Sequence, residues 1–261
     1  MPHINNGLRH IFNDATTLYD KMRPTYMPEL YQAIFDLYPL GPESKALEIG
    51  IGTGQATEPI LKTGCALTAV ELGDQLADFS ADKFKAYPNF TVQCIDFMAL
   101  QTPDNAFDLV YAATAFHWIP EEAGYQKVYN LLKSGGIFAR FANHPYMDKG
   151  NPALTEAIQV LYAKYRGRST LAPEFSAKEA RQLADLGEKY GFKDCSCKLF
   201  HRVRTFSGEE YPLLLNTYSD HLAMPENTRR EFYEAITEAI NKHGGMIRIY
   251  DTVDLELYRK P

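Results

Sequence analysis

The stretch ALEIGIGTGQ at residues 46–55 decides the fold of this chain. Residues 46–49 predict a buried strand, and Gly50, Gly52 and Gly54 predict a turn that leads into a helix. Because glycine has no Cβ, the backbone there can adopt left-handed conformations and a ligand can lie close against it. A strand, a glycine-rich turn and a helix in this order predict a nucleotide-type binding loop.

Two features of this loop narrow the class of ligand that it can bind. A dinucleotide loop reads G-x-G-x-x-G, whereas here the third glycine, Gly54, comes one position early. Glu48 would repel a pyrophosphate but attract an ammonium group. The E-x-G-x-G-x-G order resembles the first motif of the class I methyltransferases that use S-adenosylmethionine. The resemblance implies that cofactor, held by Gly50, Gly52 and Gly54, with Glu48 supporting its ammonium end. The alternative for Glu48 is a structural role within the loop.

The composition is that of an ordinary globular enzyme. The chain has 261 residues, 45% apolar and 23% charged, and a net charge of −6. The longest run of basic residues is the pair Arg229-Arg230, so no nucleic-acid partner is expected. No apolar run approaches the roughly 18 residues of a membrane span, and residues 1–11 lack the apolar core of a signal peptide. The four cysteines have no metal-ligand spacing. We therefore expect a cytoplasmic enzyme with reduced thiols, no metal and no membrane contact.

Strand and helix patterns alternate from residue 45 to residue 143, which predicts a parallel sheet covered by helices. The predicted strands are residues 46–49, 66–71, 90–95, 107–112 and 137–141, and the predicted helices are 55–63, 73–86 and 121–132. Further along, we predict helices at 152–164 and 177–190 and strands at 195–206 and 246–258.

These elements predict one α/β domain over residues 1–261, and the resemblance implies that it is a methyltransferase domain. We expect a Rossmann-like, seven-stranded, mostly parallel sheet with an antiparallel last strand and a helical lid. Residues 1–40 would form an N-terminal helical cap, residues 41–143 the cofactor-binding core, and residues 144–261 the remaining strands. A helical lid insertion at about 207–245 would cover the carboxyl edge of the sheet, where open α/β sheets bind ligands.

Carboxylates end two of the predicted strands. Glu71 ends the second strand and is predicted to hold the ribose hydroxyls, with Leu72 packed on the adenine. Asp96 follows the third strand and is predicted to accept a hydrogen bond from the adenine amine, with Phe97 beside it. The alternative for Glu71 is an exposed acid at a helix start. The alternative for Asp96 is a helix N-cap, which is compatible with binding through its other oxygen.

The fourth strand leads into a second informative segment. Ala113 and Thr114 are small enough for a ligand to approach closely, and His117 and Trp118 follow at once. This order resembles a branch of small-molecule methyltransferases that includes trans-aconitate methyltransferase, and it implies that Ala113 and Trp118 contact the cofactor. His117 is a candidate catalytic base near neutral pH. The alternative, which we favour, is a histidine that orients the loop or contacts the cofactor without moving a proton.

The N-terminal segment also resembles that branch, through Phe12, Ala15, Tyr19, Arg23-Pro24, Tyr26 and Pro28. The resemblance implies a helix that folds over the cofactor. Tyr19 would cover the sulfonium by a cation–π contact, and Arg23 would pair with the cofactor carboxylate. Alternatively, Tyr19 and Arg23 share a helix face and only pack there.

The segments 211–221 and 244–250 resemble the lid and the last strand of the same branch. Within the first, Tyr218, Ser219 and His221 are predicted to line the substrate pocket. Ordinary packing inside the lid is the alternative.

The resemblance as a whole implies methyl transfer from S-adenosylmethionine to a small molecule by in-line displacement, with positioning as the main contribution of the protein. The branch points to a carboxylic acid as acceptor, and the scattered basic residues Arg166, Arg168, Arg202 and Arg204 are candidates to recognise it. The 13% aromatic content fits an apolar or aromatic acceptor equally well. Two other functions remain open: a protein that binds S-adenosylmethionine without transferring methyl, and a nucleotide-dependent oxidoreductase, which the loop disfavours.

Overall fold

The computed structural model describes residues 16–167 and 173–261, and a seven-stranded sheet lies at the centre of this part of the chain. The strands are β1 Lys45–Ile49, β2 Ala66–Glu71, β3 Phe90–Cys94, β4 Phe107–Ala113, β5 Leu132–Tyr146, β6 Lys193–Ser207 and β7 Met246–Arg259. Their order in the sheet is β3-β2-β1-β4-β5-β7-β6, and only β7 runs antiparallel to its neighbours. The predicted fold class is confirmed.

Helices cover the sheet and extend beyond it. They are α1 Thr16–Met22, α2 Pro28–Leu37, α3 Thr57–Leu61, α4 Asp74–Lys83, α5 Glu121–Leu131, α6 Pro152–Arg166, α7 Ala177–Lys189, α8 Glu210–Leu215, α9 Ser219–Leu222 and α10 Glu226–Lys242. Single 3₁₀ turns occur at Phe97–Ala99 and Phe116–Trp118. Within residues 16–167 and 173–261, no helix combines the length and the apolar character needed to cross a membrane.

The central strands are buried on both faces. On β1, Ala46 packs into the apolar cluster on one side of the sheet, while Leu47 and Ile49 pack into the cluster on the other. On β4, Leu109 and Val110 divide between the two faces in the same way. A sheet covered on both sides therefore produces the continuous apolar runs that made these strands predictable.

The fifth strand is longer than predicted. It begins at Leu132, directly after α5, and continues to Tyr146, whereas the sequence predicts residues 137–141. Gly135 and Gly136, which fall between the predicted helix 121–132 and the predicted strand 137–141, lie inside β5. Gly135 has a φ of +79°, and a Cβ at Gly136 would lie 3.0–3.2 Å from three backbone oxygens. Glycine therefore permits an irregularity in the pairing with β4 instead of ending the strand.

The far ends of β5, β6 and β7 carry the helices α6, α8, α9 and α10, which we call the cap. Pairing between β4 and β5 ends at Ala113 and Phe141, but β5 continues beside β7 as far as the pair Tyr146 and Tyr250. Helices α8 to α10 connect the end of β6 to the start of β7. The cap has its own apolar cluster, formed by Leu154, Ile158, Tyr211, Leu214, Leu215, Phe232, Ile236, Ile240, Ile247 and Ile249. It thus lies at the carboxyl edge of the parallel strands.

Candidate functional site

A crevice at the carboxyl edge of the parallel strands consists of two neighbouring cavities. The wide cavity, of about 260 Å³, lies at the ends of β1, β2 and β3, and the narrow cavity, of about 70 Å³, lies between the ends of β1 and β4. They share Tyr19, Gly50, Gly52 and Thr114. Since the chain continues from β1 to β2 on one side and returns to β4 on the other, this is the topological switch point, where open α/β sheets bind ligands.

Most of the predicted cofactor residues line this crevice. The wide cavity is lined by Tyr19, Gly50, Gly52, Glu71, Leu72, Asp96, Phe97 and Trp118, and the narrow cavity by Tyr19, Arg23, Glu48, Gly50, Gly52 and Ala113. Parallel pairing brings them together, because strand ends that are far apart in sequence lie side by side. Ile49 pairs with Val70, and Glu71 with Cys94.

Glu71 connects the glycine-rich turn to the start of α4. Its Oε2 accepts a hydrogen bond from the Gly52 amide at 2.8 Å, and its Oε1 accepts from the amides of Leu72 and Gly73 at 2.9 and 3.0 Å. A carboxylate has about four acceptor positions, so about one is left for a ligand hydroxyl. Glu71 thus shapes the crevice and can also contact a ligand within it.

Asp96 caps a helical turn and also lines the wide cavity. Its Oδ1 accepts a hydrogen bond from the Met98 amide at 2.8 Å and so caps the 3₁₀ turn Phe97–Ala99. The residue also lines the wide cavity, beside Phe97. The capping bond fixes the carboxyl group at the edge of the cavity, where it can accept a hydrogen bond from a base.

The three glycines of the turn have different surroundings. Gly50, Gly52 and Gly54 have φ values of +69°, +58° and +80°, which favour glycine. A Cβ at Gly50 would lie 2.7 Å from the Cβ of Ala115. Gly54 does not line the crevice; a Cβ there would lie 2.3 Å from the Phe84 ring. Gly50 and Gly52 therefore form the crevice wall, whereas Gly54 packs the turn against the core.

Glu48 is buried beneath the turn, with 1% of its surface exposed. Its Oε2 accepts hydrogen bonds from Thr57 Oγ1 and from the Tyr111 hydroxyl, both at 2.7 Å. Burial raises the pKa of Glu48 to about 7, a rise that these two hydrogen bonds moderate and the negative charge of Glu71 increases. The carboxyl group is therefore partly protonated near neutral pH and sensitive to any charge that enters the narrow cavity.

We expect binding of S-adenosylhomocysteine near pH 7 to release a fraction of a proton from Glu48. An ammonium group in the narrow cavity favours the carboxylate, lowers its pKa below about 7 and so displaces the proton. Calorimetry in buffers of different ionisation enthalpy measures the number of protons released. The Glu48→Gln variant should bind without this release, and equal release from both proteins would contradict the assignment.

In the free protein the same shift makes stability depend on pH. The folded-state pKa of Glu48 lies above its ordinary value of 4.5, so the native state holds the proton more tightly than the unfolded chain does. The stability contributed by protonated Glu48 is therefore complete below about pH 4.5 and is lost as the pH rises through about 7. In Glu48→Gln this part of the pH dependence should disappear from urea unfolding curves.

Helix α1 lies over the crevice and is attached on both sides. Asp20 forms an ion pair with Lys83 of α4 at 2.6 Å. Arg23 donates from Nη2 to the Thr217 carbonyl beside the cap at 2.9 Å, and its guanidinium lies 4.9 and 4.1 Å from the ring centroids of Tyr19 and Tyr218. Phe12 and Ala15, which also carry the resemblance of this segment, fall outside the described residues. Helix α1 therefore links the core to the cap above the ligand site.

The narrow cavity fits the amino-acid end of S-adenosylmethionine. Glu48 and Arg23 both line it, and they offer opposite charges to the ammonium and carboxylate groups of such a ligand. The Nε of Arg23 is buried and has no hydrogen-bond partner among the described residues, a costly arrangement that an incoming carboxylate would relieve. The wide cavity, with Glu71, Leu72 and Asp96, would hold the adenosine end.

Thr114 stands at the junction of the two cavities in a strained conformation. Its φ is +53°, which is unusual for a β-branched residue. Its amide donates to the Phe141 carbonyl at 2.8 Å, and its Oγ1 is hydrogen-bonded to the Tyr26 hydroxyl at 2.7 Å and to the Asn143 amide at 3.3 Å. Backbone strain of this kind persists where surrounding contacts enforce it, often at functional sites. The sequence shows that Thr114 is small but not that it is strained.

His117 and Trp118 are neighbours in the sequence but differ in whether they line the crevice. Trp118 lines the wide cavity, whereas His117 lines neither cavity of the crevice. Neighbouring protein that displaces water from the His117 ring, and then the positive charges of Arg140 and His144, lower the pKa of His117 to about 4, although the residue stays partly exposed. Its ring is therefore neutral near pH 7 and lies 4.9 Å from the Trp118 ring, centroid to centroid.

A third cavity, of about 450 Å³, lies within the cap, and we call it the cap cavity. It is lined by Pro145, Tyr146, Met147, Gln159, Tyr162, Arg166, Pro173, Tyr211, Leu214, Leu215, Tyr218, Asp220, His221 and Ile249. Tyr218 also lines the narrow cavity. Of the three predicted substrate residues, Tyr218 and His221 thus line the cap cavity, while Ser219 lines none of the three cavities.

The structure also separates the candidate arginines. Arg166 lines the cap cavity. Arg202 and Arg204 are both engaged by the buried carboxylate of Asp251, with closest distances of 3.0 and 2.5 Å. Arg168 falls outside the described residues. The sequence could not distinguish these arginines, because their partners on β7 and α9 are distant along the chain.

Sequence reasoning missed several residues of the crevice. The wide cavity also includes Ile49, Val70, Leu76, Ile95, Met98, Ala115, Ile119 and Pro120, and the narrow cavity includes Pro24, Tyr26, Ile51, Gln55, Ala56 and Asn143. Ile95 and Ala115 adjoin predicted site residues and could have been found from their position at strand ends. Asn143 gave no such signal, because β5 continues past it. Within residues 16–167 and 173–261, no three His, Cys, Asp or Glu side chains are grouped to hold a metal ion.

Comparison with known proteins agrees with this geometry. Residues 47–140 match the family model described as a methyltransferase domain. An uncharacterized methyltransferase of Schizosaccharomyces pombe is 27% identical over 85% of this chain and 84% of its own length. A structure described as a type II methyltransferase from Anaeromyxobacter dehalogenans superposes with a TM-score of 0.65 at 17% identity, over 91% of this chain and 97% of that one.

A further solved structure carries ligands. It is phosphoethanolamine N-methyltransferase 2 of Haemonchus contortus, in complex with phosphomonomethylethanolamine and S-adenosylhomocysteine. It superposes with a TM-score of 0.57 at 14% identity, over 100% of this chain and 61% of its own. At such identities the likeness shows the fold alone.

Proposed function

We propose that this chain, a class I methyltransferase that uses S-adenosylmethionine, methylates a small organic molecule held in the cap cavity. The observation that carries the proposal is the position of Tyr218, which lines both the narrow cavity and the cap cavity. A molecule of moderate size in the cap cavity would thus reach the narrow cavity, which Thr114 also lines. Cavities of this kind, largely apolar with a few polar groups, are typical of small-molecule sites.

When bound, S-adenosylmethionine supplies an electrophilic methyl carbon; the acceptor's lone pair bonds to it as the carbon–sulfur bond breaks, and S-adenosylhomocysteine leaves. The residues of this chain hold and orient the reactants. Glu71 and Asp96 would hold the adenosine end, and Arg23 and Glu48 the amino-acid end. Tyr19 of α1 lines both cavities and would exclude water from the crevice.

A carboxylic acid is the acceptor class that we propose. The resemblance to the branch that includes trans-aconitate methyltransferase supports it, and so does Arg166 in the cap cavity. A carboxylate is already ionised near neutral pH, so its methylation requires positioning but no base. We therefore assign His117, which lies outside the crevice lining, to the support of the loop that carries Trp118.

We also propose the functional division of the chain. Residues 41–143 would bind the cofactor, and residues 1–40 would form the N-terminal cap, with α1 attached to Lys83 and Thr217. The helices within residues 207–245 would act as the lid over the acceptor. The whole chain, residues 1–261, would function as one methyltransferase domain.

The first experiment is isothermal titration with S-adenosylhomocysteine, with NAD as the control ligand. We expect micromolar binding of S-adenosylhomocysteine and none of NAD. A radiolabelled methyl donor and a panel of small organic acids would then identify the acceptor. Binding without transfer to any organic compound would indicate a binding protein instead of an enzyme.

Filling the cap cavity should separate acceptor binding from cofactor binding. Gln159 lines the cap cavity from α6, while the adjacent Val160 faces away and is 61% exposed. We expect Gln159→Trp to lower methyl transfer about 10-fold or more, because a bulky ring occupies space that the acceptor needs. Calorimetric binding of S-adenosylhomocysteine should change less than about twofold. Val160→Trp is the matched control and should keep both properties; equal activity of the two variants would place the acceptor elsewhere.

A further inference from the structure

Arg166, in the last turn of α6, is the cation of the cap cavity among its described lining residues. Only 8% of its side chain is exposed. Its Nη2 donates to Asp220 Oδ2 at 2.6 Å and, at 3.4 Å, to the Asp220 carbonyl. Its Nη1 is buried and has no hydrogen-bond partner among the described residues. One terminal nitrogen of the guanidinium therefore serves two contacts while the other serves none.

This arrangement leaves the guanidinium incompletely satisfied. A buried donor without a partner is costly, and a guanidinium binds a carboxylate best through two parallel hydrogen bonds. The Asp220 side chain meets Arg166 through the single oxygen Oδ2 and is 42% exposed, so water or a second anion can reach this ion pair. The structure therefore holds Arg166 in a form that a second anion can complete.

No other described residue of the cap cavity competes for this role. His221 is nearly buried, and its two ring nitrogens lie 3.3 Å from the hydroxyls of Tyr162 and Tyr233. Asp220 would repel an anion. Around Arg166 the lining is mainly apolar or aromatic, including Met147, Leu214 and Leu215. The cavity thus complements a molecule with an apolar body and one anionic group.

The position of Arg166 also indicates which group of the acceptor it binds. Arg166 lines neither cavity of the crevice, whereas Tyr218 lines both the cap cavity and the narrow cavity. An anion on Arg166 is thus placed in the cap and not at the crevice end. Hydrogen bonds from the guanidinium would also occupy the lone pairs of this anion and make it a weaker nucleophile.

We infer that the acceptor carries an anionic group, a carboxylate or phosphate, that binds Arg166 in exchange for Asp220 and is not itself methylated. This inference rests on the proposed function and adds that the acceptor carries two functional groups, one bound by Arg166 and one methylated. The acceptor has a separate nucleophile, a further carboxylate, which reaches the crevice beside Tyr218. Arg166 is therefore a residue that determines substrate specificity.

The test compares acids with their neutral amides in the presence of saturating S-adenosylhomocysteine. The probes are the straight-chain dicarboxylates of four to nine carbons and 4-hydroxyphenylacetate, each beside its amide, with binding followed by calorimetry or ligand-observed NMR. We expect one or more acids to bind at least about 10-fold more tightly than the amide, as charge-assisted hydrogen bonds imply. Arg166→Met should abolish this difference, and Arg166→Lys should retain part of it.

Asp220→Asn should change the affinity for the acids in the opposite direction. Removal of the competing carboxylate should strengthen binding of the same acids several-fold, which loss of a merely structural ion pair would not do. Phosphate replaces the acids as probe in a parallel titration. An acid preference that persists in Arg166→Met, or anion binding by neither wild type nor Asp220→Asn, would overturn the inference.

Binding of S-adenosylhomocysteine separates the two levels of the proposal. If all variants bind it as the wild type does, failure of the acid test concerns Arg166 alone. If the wild type fails to bind it, the proposed function itself fails. Normal cofactor binding also shows that each variant is folded.

Discussion

Replacement of Glu71 by alanine is expected to weaken binding of S-adenosylhomocysteine by about 10- to 150-fold, the range that corresponds to about 1.5–3 kcal/mol for a hydrogen bond to a charged group. Two losses combine. The ligand loses an acceptor in the wide cavity, and the amides of Gly52, Leu72 and Gly73 lose the carboxylate that now holds them in place. Isothermal titration calorimetry measures the affinity directly.

The matched control for this prediction is Glu58→Ala. Glu58 lies on α3, and its exposed ion pair with Lys62 should contribute little. We expect that variant to bind S-adenosylhomocysteine as the wild type does. Glu71→Gln keeps the side-chain size and one oxygen, and its affinity should lie between those of the wild type and Glu71→Ala. Unchanged affinity in Glu71→Ala would show that Glu71 neither contacts the ligand nor organises the turn around it.

Replacement of Gly54 by alanine should lower the free energy of unfolding by about 2–5 kcal/mol. The φ of +80° costs an L-residue about 1–2 kcal/mol, and overpacking adds about 1–3 kcal/mol. The new Cβ would lie 2.3 and 2.7 Å from two ring atoms of Phe84, a buried side chain that packs edge-on against Phe90. Urea unfolding followed by circular dichroism measures the change.

Gly245 offers a close control, because its φ is +78° and no atom lies within 4 Å of a Cβ built there. Gly245→Ala should therefore cost only the backbone component, about 1–2 kcal/mol. The difference between the two variants isolates the clash with Phe84. Equal destabilisation would mean that the turn relaxes around the new methyl group and that Gly54 is required for its positive φ alone.

The acids of the crevice act at two depths. Glu71 and Asp96 lie at strand ends and line the wide cavity, where hydrogen bonds from backbone amides hold them in place. Glu48 lies deeper, and the hydroxyls of Thr57 and Tyr111 hold it under the turn. Burial raises the pKa of Glu48 to about 7. Carboxyl groups therefore supply hydrogen-bonded acceptors at the surface of the crevice and a buried group that titrates near neutral pH beneath it.

The alternation of apolar runs and glycine turns determined much of the architecture. The pattern around residues 46–49 and 107–112 predicts strands that the structure places at the centre of the sheet, because buried parallel strands require continuous apolar residues. The prediction was wrong around Gly135, which lies between the predicted helix 121–132 and the predicted strand 137–141, because β5 includes it and pairs irregularly with β4. A glycine signals permissive backbone, but tertiary pairing decides which permitted conformation is used.

The residues of the crevice could be predicted from the sequence because parallel strands bring their carboxyl ends to one edge of the sheet. Glycine at residue 50 and the acids that end the second and third strands therefore mark neighbouring positions in space. Local sequence carries this information, since each site residue directly follows its own strand. No long-range contact needs to be known.

The acceptor side depended on the tertiary structure. Contacts between segments far apart in the chain decide three features of this side. They decide which arginine lines the cap cavity, that Tyr218 lines two cavities, and that Thr114 is strained. Arg166 meets Asp220 of α9, whereas Arg204 is held by Asp251 of β7. A sequence pattern records what each segment favours locally, whereas the direction and partner of a long polar side chain are fixed only when the segments pack.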